Sequence, residues 1–371
     1  MSNTNFQIFI YYDKYFEVMN AKASSLAIVG LFLMASITCI VFTAVDSDAD
    51  PKYSVTDDRG VTLGFDEPYK YVVTLGLAFT STSVGIGQSS KLILVDTGSK
   101  DALPEGSSVP TISTSNYTDV ANKIKTIATE KGIADTDEIL IILYTYSSTG
   151  ITTLDTQGLH TIMAFYPKSY DDVVKYVEKM ETLMGAEHSK SKNMDDVAKN
   201  IVSKMSDYSG DKVNAIYVSY SSSTYKIANK NSIAVSMFEK CGAVNAGYDA
   251  SKSASYEPEG GIGPFLLDKI NNGGLKVIFL DGNYTGNASD FVSEQSLGDK
   301  DVKVYKLEKT WNSYSPDIAD GMTYMSKALY PSVFGSLDDD DKEPFNYTWV
   351  IVGVIAAVVV IGAVFIIMRR H

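Results

Sequence analysis

Histidine and cysteine are scarce in this chain of 371 residues, with three of the first and two of the second. His371 ends the chain, and His160 and His188 have no partner at metal-ligand spacing. A histidine-based zinc site or a Ser-His-Asp relay therefore cannot be assembled, and both inner histidines are expected at the surface or at helix ends. Cys39 lies inside a hydrophobic run and Cys241 far from it, so no internal disulfide is expected. A chain of this size has core enough without one. Positive charge is also short. Lysine and arginine total 32 against 45 aspartates and glutamates, a formal net charge of -13. That balance excludes nucleic acid as a partner and disfavours an electrostatic membrane contact. No nucleophile, base and orienter come together in the pattern. An enzyme is not expected, nor is a resident metal or cofactor.

Two long uncharged apolar runs are present instead. Ala23 to Val45 follows Lys22 and precedes Asp46, Asp48 and Asp50; Thr348 to Met368 follows Asp338 to Asp341 and precedes Arg369 and Arg370. Each matches the roughly 20 residues that a membrane-crossing helix needs. Basic flanks stay cytoplasmic, so the two spans are expected to run in opposite directions. Residues 46–347 would then lie outside the cytoplasm, at the cell membrane. The first span reads equally as a cleaved signal or a retained anchor, and Met1 and Met19 both remain candidate starts.

Between the runs, alternation through Val55–Leu63 around Asp57-Asp58-Arg59-Gly60 predicts a hairpin. Tyr71–Leu75, Lys91–Asp96, Ile139–Tyr144 and Thr161–Phe165 read as buried strands, with a helix over Tyr117–Lys131. Ser169 caps a helical stretch broken at Gly185 and resumed from Met194. Strands follow at Val213–Tyr220, Val277–Leu280 and Val302–Tyr305, with helices over Ser232–Lys240, Phe265–Ile270 and Ile318–Leu329. The strand-helix rhythm predicts parallel, helix-covered sheets. The expected fold class is α/β: two Rossmann-like lobes bridged by a long α-helix and flanked by N- and C-terminal transmembrane helices.

The expected organisation is an N-terminal cytoplasmic segment (1–22), a first span (23–45), an N-terminal lobe (50–167) and a bridging segment (168–209). A C-terminal lobe (210–335), an acidic stalk (336–347), a second span (348–368) and a basic tail (369–371) follow. Gly85-Ile86-Gly87 lacks the third glycine of a dinucleotide fingerprint. The aspartates of the stalk repel one another without a turn glycine, which makes a solvated spacer of them in preference to a calcium loop. Ligands of α/β lobes sit outside the carboxyl ends of strands. Tyr144, Tyr146, Tyr166, Tyr220 and Tyr225, near strand ends, are therefore candidate cleft walls, and Trp311 joins them.

The order of these pieces resembles the substrate-binding proteins of ABC importers for iron-siderophore complexes, haem and cobalamin. The resemblance runs from about Tyr53 to Phe334. It is carried by the Val55–Leu63 hairpin, Tyr71–Leu75 with Gly85-Ile86-Gly87 and Lys91–Val95, Phe238–Ala246, and Trp311–Asp317 leading into Met325–Phe334. It implies capture of a metal chelate, haem or corrinoid between the lobes, as ligand and not cofactor, and delivery to ABC permease and ATPase subunits. It also implies a docking acid on each lobe. Glu257, Glu259 and Asp268 are candidates on the second, whereas no acid stands near Ser81-Thr82-Ser83 on the first. That gap leaves a membrane-anchored surface sensor or interaction module with the same fold as the alternative.

Overall fold

The computed structural model describes residues 50–337. The spans 23–45 and 348–368, the segment 1–22, the basic tail and nearly all of the stalk lie outside the described residues. Among the described residues, no helix is long and apolar enough to cross a membrane.

Strands β1 (Tyr53–Thr56) and β2 (Thr62–Phe65) form the expected antiparallel hairpin, with Tyr53 opposite Phe65. Next come β3 (Tyr71–Leu75), α1 (Leu77–Gly85), β4 (Leu92–Asp96), β5 (Thr111–Ile112) and α2 (Tyr117–Lys131). They are followed by β6 (Ile139–Tyr144), α3 (Ser148–Thr156) and β7 (Ile162–Phe165). The five strands β3 to β7 make one parallel sheet in the order β5-β4-β3-β6-β7. Its central strands are buried on both faces, which is why they read as unbroken apolar runs. The chain leaves β3 toward one edge and returns through β6 to the other. The topological switch point thus lies between the carboxyl ends of β3 and β6.

The bridging region holds two helices, α4 (Tyr170–Met184) and α5 (Ser189–Ser206), broken at Gly185 as the sequence pattern indicates, where the expected fold class has one long bridging helix. Gly185 adopts φ 62°, which ends α4 in a left-handed turn. The buried Glu181 carboxylate then accepts the Lys190 amide at 2.9 Å and the Ser191 hydroxyl, capping α5 from below. Helix α5 therefore starts at Ser189, a turn before Met194. His188 stands just ahead of it and His160 just past α3, both half exposed.

After the bridge come β8 (Asn214–Ser221), β9 (Thr224–Ala228), α6 (Ile233–Lys240), β10 (Val244–Asn245) and β11 (Ser255–Tyr256). The chain continues through α7 (Ile262–Gly273), β12 (Leu275–Leu280), α8 (Ala288–Glu294), β13 (Lys303–Lys306), α9 (Ile318–Leu329) and α10 (Pro331–Phe334). Strands β10, β8, β12 and β13 are parallel, while β9 and β11 add an antiparallel flank. The hairpin β8–β9 turns through Ser222 and Ser223, both with positive φ, a geometry that matches the twist of paired strands.

One buried apolar cluster joins the two sheets. It runs from Val72, Leu140 and Phe165 through Tyr170 and Tyr176 of α4 to Phe238, Phe279 and Met322. Helix α5 packs on α4 and on α9. The connection between the halves is thus stiffened by shared core and paired helices.

Candidate functional site

The switch point of the first sheet carries an aromatic shelf. Gly76, the residue after β3, brings its backbone against the Tyr144 ring at the end of β6; a Cβ there would meet Tyr144 Cε2 at 2.6 Å. Tyr144 stacks on Tyr146, with centroids 4.8 Å apart and planes 11° apart. Tyr166, just past β7, meets Tyr146 edge-on at 5.5 Å. The rings step outward from half-buried Tyr144 to Tyr146 and Tyr166, which are 64% and 43% exposed. Leu77, beside Gly76, is 50% exposed. Such edge-on and offset pairs each contribute about 0.5–1.5 kcal/mol, enough to hold exposed rings in place.

Burial pushes the Tyr144 phenol well above its ordinary range, and burial followed by the Tyr166 neighbour raises that of Tyr146. The shelf therefore offers flat faces, with the Tyr144 and Tyr146 hydroxyls held neutral at physiological pH. A Gly76→Ala replacement is expected to push Tyr144 off its stack and to destabilise the chain by about 1–3 kcal/mol, the usual cost of overpacking. Tyrosine near-UV circular dichroism and a urea titration would check both.

The second sheet reaches the shelf through one segment. Past β13 the chain passes Trp311 and Asn312, and Tyr314 lies within about 6 Å of Phe79, Tyr144 and Tyr176. The Thr82 hydroxyl of α1 donates to the Tyr314 carbonyl at 2.8 Å. Pro316 covers Gly85, where a Cβ would meet its ring at 2.9 Å. Asn312 donates to the Tyr217 hydroxyl at 2.9 Å, so the segment is pinned to β8 as well. The segment that leaves the carboxyl end of β13 thus packs on the aromatic region of the first sheet.

The second switch point, between β8 and β12, holds a tyrosine group of its own. The Tyr220 amide donates to Asp281 at 3.3 Å, and Tyr220 packs on Tyr225 and Tyr284 at 5.0 and 5.3 Å. Tyr225 and Tyr284 both donate to Glu294, at 2.6 and 2.8 Å. Trp311 stands apart from both groups. It packs on Tyr324 at 5.0 Å and against Gly321 of α9. Tyr144, Tyr146 and Tyr166 are therefore brought together, Tyr220 and Tyr225 form a separate pair, and Trp311 is half-buried against a helix.

Glu257, Glu259 and Asp268 are all exposed, on the loop before α7 and on α7 itself. Glu257 pairs with Lys226 at 3.7 Å, and Asp268 accepts the Asn272 amide at 2.8 Å. On the first half, Thr82 and Ser83 are buried, which leaves no acid on that helix.

Beside the shelf lies a cavity of about 270 Å³ that no sequence motif indicated. Thr145 and Tyr166 form one wall, and Lys168, Lys175 and Lys179 stand around it with Asp58 and Asp172. The spacing of Lys175 and Lys179, four apart on an amphipathic helix, was a legible signal that both share one face.

The arrangement of sheets is similar to that of solved periplasmic binding proteins. Helicobacter pylori CeuE with Ni(II) bound superposes with a TM-score of 0.61 at 14% identity, over 77% of this chain and 92% of that one. The periplasmic haem-binding protein HutB of Vibrio cholerae gives 0.55 at 12%, over 71% of this chain and 100% of its own. The periplasmic vitamin B12 binding protein BtuF of Vibrio cholerae gives 0.51 at 17%, over 71% and 97%. At such identities the likeness is one of fold. No protein-family model and no curated protein sequence matches the chain.

Proposed function

We propose that this chain is an extracytoplasmic, membrane-anchored solute-binding protein that captures a ferric siderophore, haem or a cobalamin-like ligand between its two α/β halves. It hands the ligand to an ABC permease and its ATPase. The observation that supports the reading is the Tyr144-Tyr146-Tyr166 shelf at the switch point of the first sheet, where open α/β sheets bind ligands, with Tyr314 of the segment after β13 packed against it. A planar or aromatic-armed chelate finds there stacked faces and neutral hydroxyl donors. Residues 46–347 would lie outside the cytoplasm, tethered at both ends. Tethering raises the local concentration at a transporter, so moderate affinity suffices. Glu257, Glu259 and Asp268 are the acids available for permease contact on the second half.

A second reading is favoured by one observation: helix α1 offers no acid, and its Thr82 and Ser83 are buried. A surface sensor with the same cleft and no transport role needs no such acid.

The test is a thermal-denaturation panel on the full chain in nanodiscs, with ferric siderophores, haem and cobalamins. Saturation at a hundred times Kd is expected to stabilise the chain by about 2.7 kcal/mol with one class. That corresponds to a Tm rise of roughly 5 °C for a domain of this size. Absence of a shift with every class would overturn ligand capture.

A further inference from the structure

Charge beside the shelf is distributed against the trend of the molecule. The chain carries -13 overall, yet three lysines surround the 270 Å³ cavity against two aspartates. Each aspartate also holds a backbone amide. Asp58 accepts the Tyr166 amide at 2.7 Å, and Asp172 accepts the Lys168 amide at 3.2 Å. Lys179 stands 3.7 Å from Asp58, a long pairing. Among the described residues the Lys168 ammonium has no carboxylate within ion-pair distance, and it lies 5.5 Å over the Tyr166 ring. Lys175 makes no ion pair or hydrogen bond among the described residues, although it is exposed and free to reach one. With Lys179 set against Asp58, Lys168 and Lys175 outnumber the remaining carboxylate, Asp172, so a net positive charge faces a concavity whose wall, Tyr166, is also the outer ring of the shelf.

The cavity lies below the 300–1,000 Å³ range of pockets that enclose a whole drug-sized ligand. It suits one arm of a ligand whose body rests elsewhere. We propose that this cavity seats an oxyanion arm, carboxylate or catecholate, of a chelate whose body lies on Tyr146 and Tyr166. The proposal rests on the ligand-capture reading and narrows it: the ligand is anionic, and its charge is read by Lys168 and Lys175. The neutral shelf supplies contact area, while the lysines discriminate by charge.

The test uses the full chain in nanodiscs and a Lys168→Gln/Lys175→Gln double variant, leaving Lys179 and its ion pair in place. Both substituted residues are exposed, so an unchanged Tm is expected. A tri-anionic ferric tris-catecholate is expected to bind the variant at least roughly tenfold more weakly than wild type, the scale of hydrogen bonds to charged groups. Its wild-type affinity should fall with added salt, and a neutral ferric trihydroxamate should show neither effect. Separately, citrate should protect Lys168 and Lys175 of the wild type from acetylation, read by peptide mass spectrometry. Equal tris-catecholate affinity in variant and wild type overturns the proposal. So does citrate that leaves both lysines fully reactive. Citrate protection without binding of any chelate would sink the ligand-capture reading and support the oxyanion site.

Discussion

Replacing Asp57 with alanine is expected to destabilise the native chain by about 3–5 kcal/mol, the range for removing one partner of a buried ion pair. The Asp57 side chain is fully buried, and each oxygen accepts two donors. One oxygen takes the Arg59 and Val61 amides at 2.9 and 3.0 Å; the other takes Arg59 Nε at 2.7 Å and the Ala164 amide at 2.9 Å. Two of those bonds shape the hairpin turn, and one stitches it to β7. Arg59, the only arginine between the two hydrophobic spans, goes on to donate to the Ile162 carbonyl at 2.7 Å. Alanine would leave the buried Ala164 amide and the part-buried Arg59 and Val61 amides unpaired, and a guanidinium without its counter-charge. Asparagine would turn an amide donor toward other donors, so Asp57→Asn should fall close to alanine. The effect should also reach the ligand region, because neighbouring Asp58 holds the Tyr166 backbone at the rim of the lysine cavity. Urea denaturation of wild type, Asp57→Ala and Asp57→Asn checks the size; near-wild-type stability of Asp57→Ala would refute the hub role.

That hub explains part of what could be read from sequence and part of what could not. The turn itself was visible, because alternation and the Asp-Asp-Arg-Gly tetrad are local signals. Its docking on β7 joins residues 107 positions apart and leaves no local trace. The parallel strands were legible for a related reason: burial on both faces writes continuous runs such as Ile139–Tyr144. Helices α1 and α3 went unnoticed because serine and threonine fill them. There the hydroxyls of Thr82, Ser83, Thr153 and Thr156 bond back to carbonyls four residues earlier, so polar side chains sit inside a helix without an apolar stripe. Strand β9 was hidden by its turn, since Ser222-Ser223 adopts positive φ without the Asn-Gly or Asp-Gly that announces it.

The site divides along the same line. Tyr144, Tyr146 and Tyr166 could be picked out because strand ends are predictable, and strand ends at a switch point converge. Tyr314 was not singled out, although it links the halves. Its position follows from the fold of Lys309–Pro316 onto α1, which is tertiary. The bridge shows the opposite case. Gly185 was legible as a break, yet the helix caps immediately beyond it depend on buried Glu181, a carboxylate whose partners appear only when α4 and α5 pack.

Raising the pH above 10 is expected to unfold the chain cooperatively, and buried tyrosines are the cause. Tyr170, Tyr176 and Tyr217 are no more than 2% exposed. Burial, the leading cause in each, pushes their phenols far above the ordinary range, and Tyr217 is raised further by Asp281. Tyr69 is pushed up to about 12 by burial and then by Asp137. The sign follows from which state keeps its protons. An unfolded tyrosine ionises near pH 10, whereas these stay protonated in the native chain. Stability is thus fully present below about pH 10 and is lost as pH rises toward the folded values. Each such tyrosine removes about 1.4 kcal/mol per pH unit. Three remove about 4 kcal/mol per unit, against a native stability of about 5–15 kcal/mol. Unfolding is therefore expected between about pH 11 and 14. The urea midpoint measured against pH gives the slope, and phenolate absorbance should rise in one step with unfolding. Tyr176→Phe is the sharpest variant. Its hydroxyl is buried, and among the described residues its one neighbour of hydrogen-bonding kind is Thr82, whose hydroxyl already donates to the Ala78 and Tyr314 carbonyls, so deleting it should change neutral-pH stability little. The alkaline slope should drop by about 1.4 kcal/mol per pH unit. A gradual, non-cooperative phenolate titration with an unchanged urea midpoint would mean that these phenols reach water in the native chain, and that the aromatic floor beneath the shelf is open.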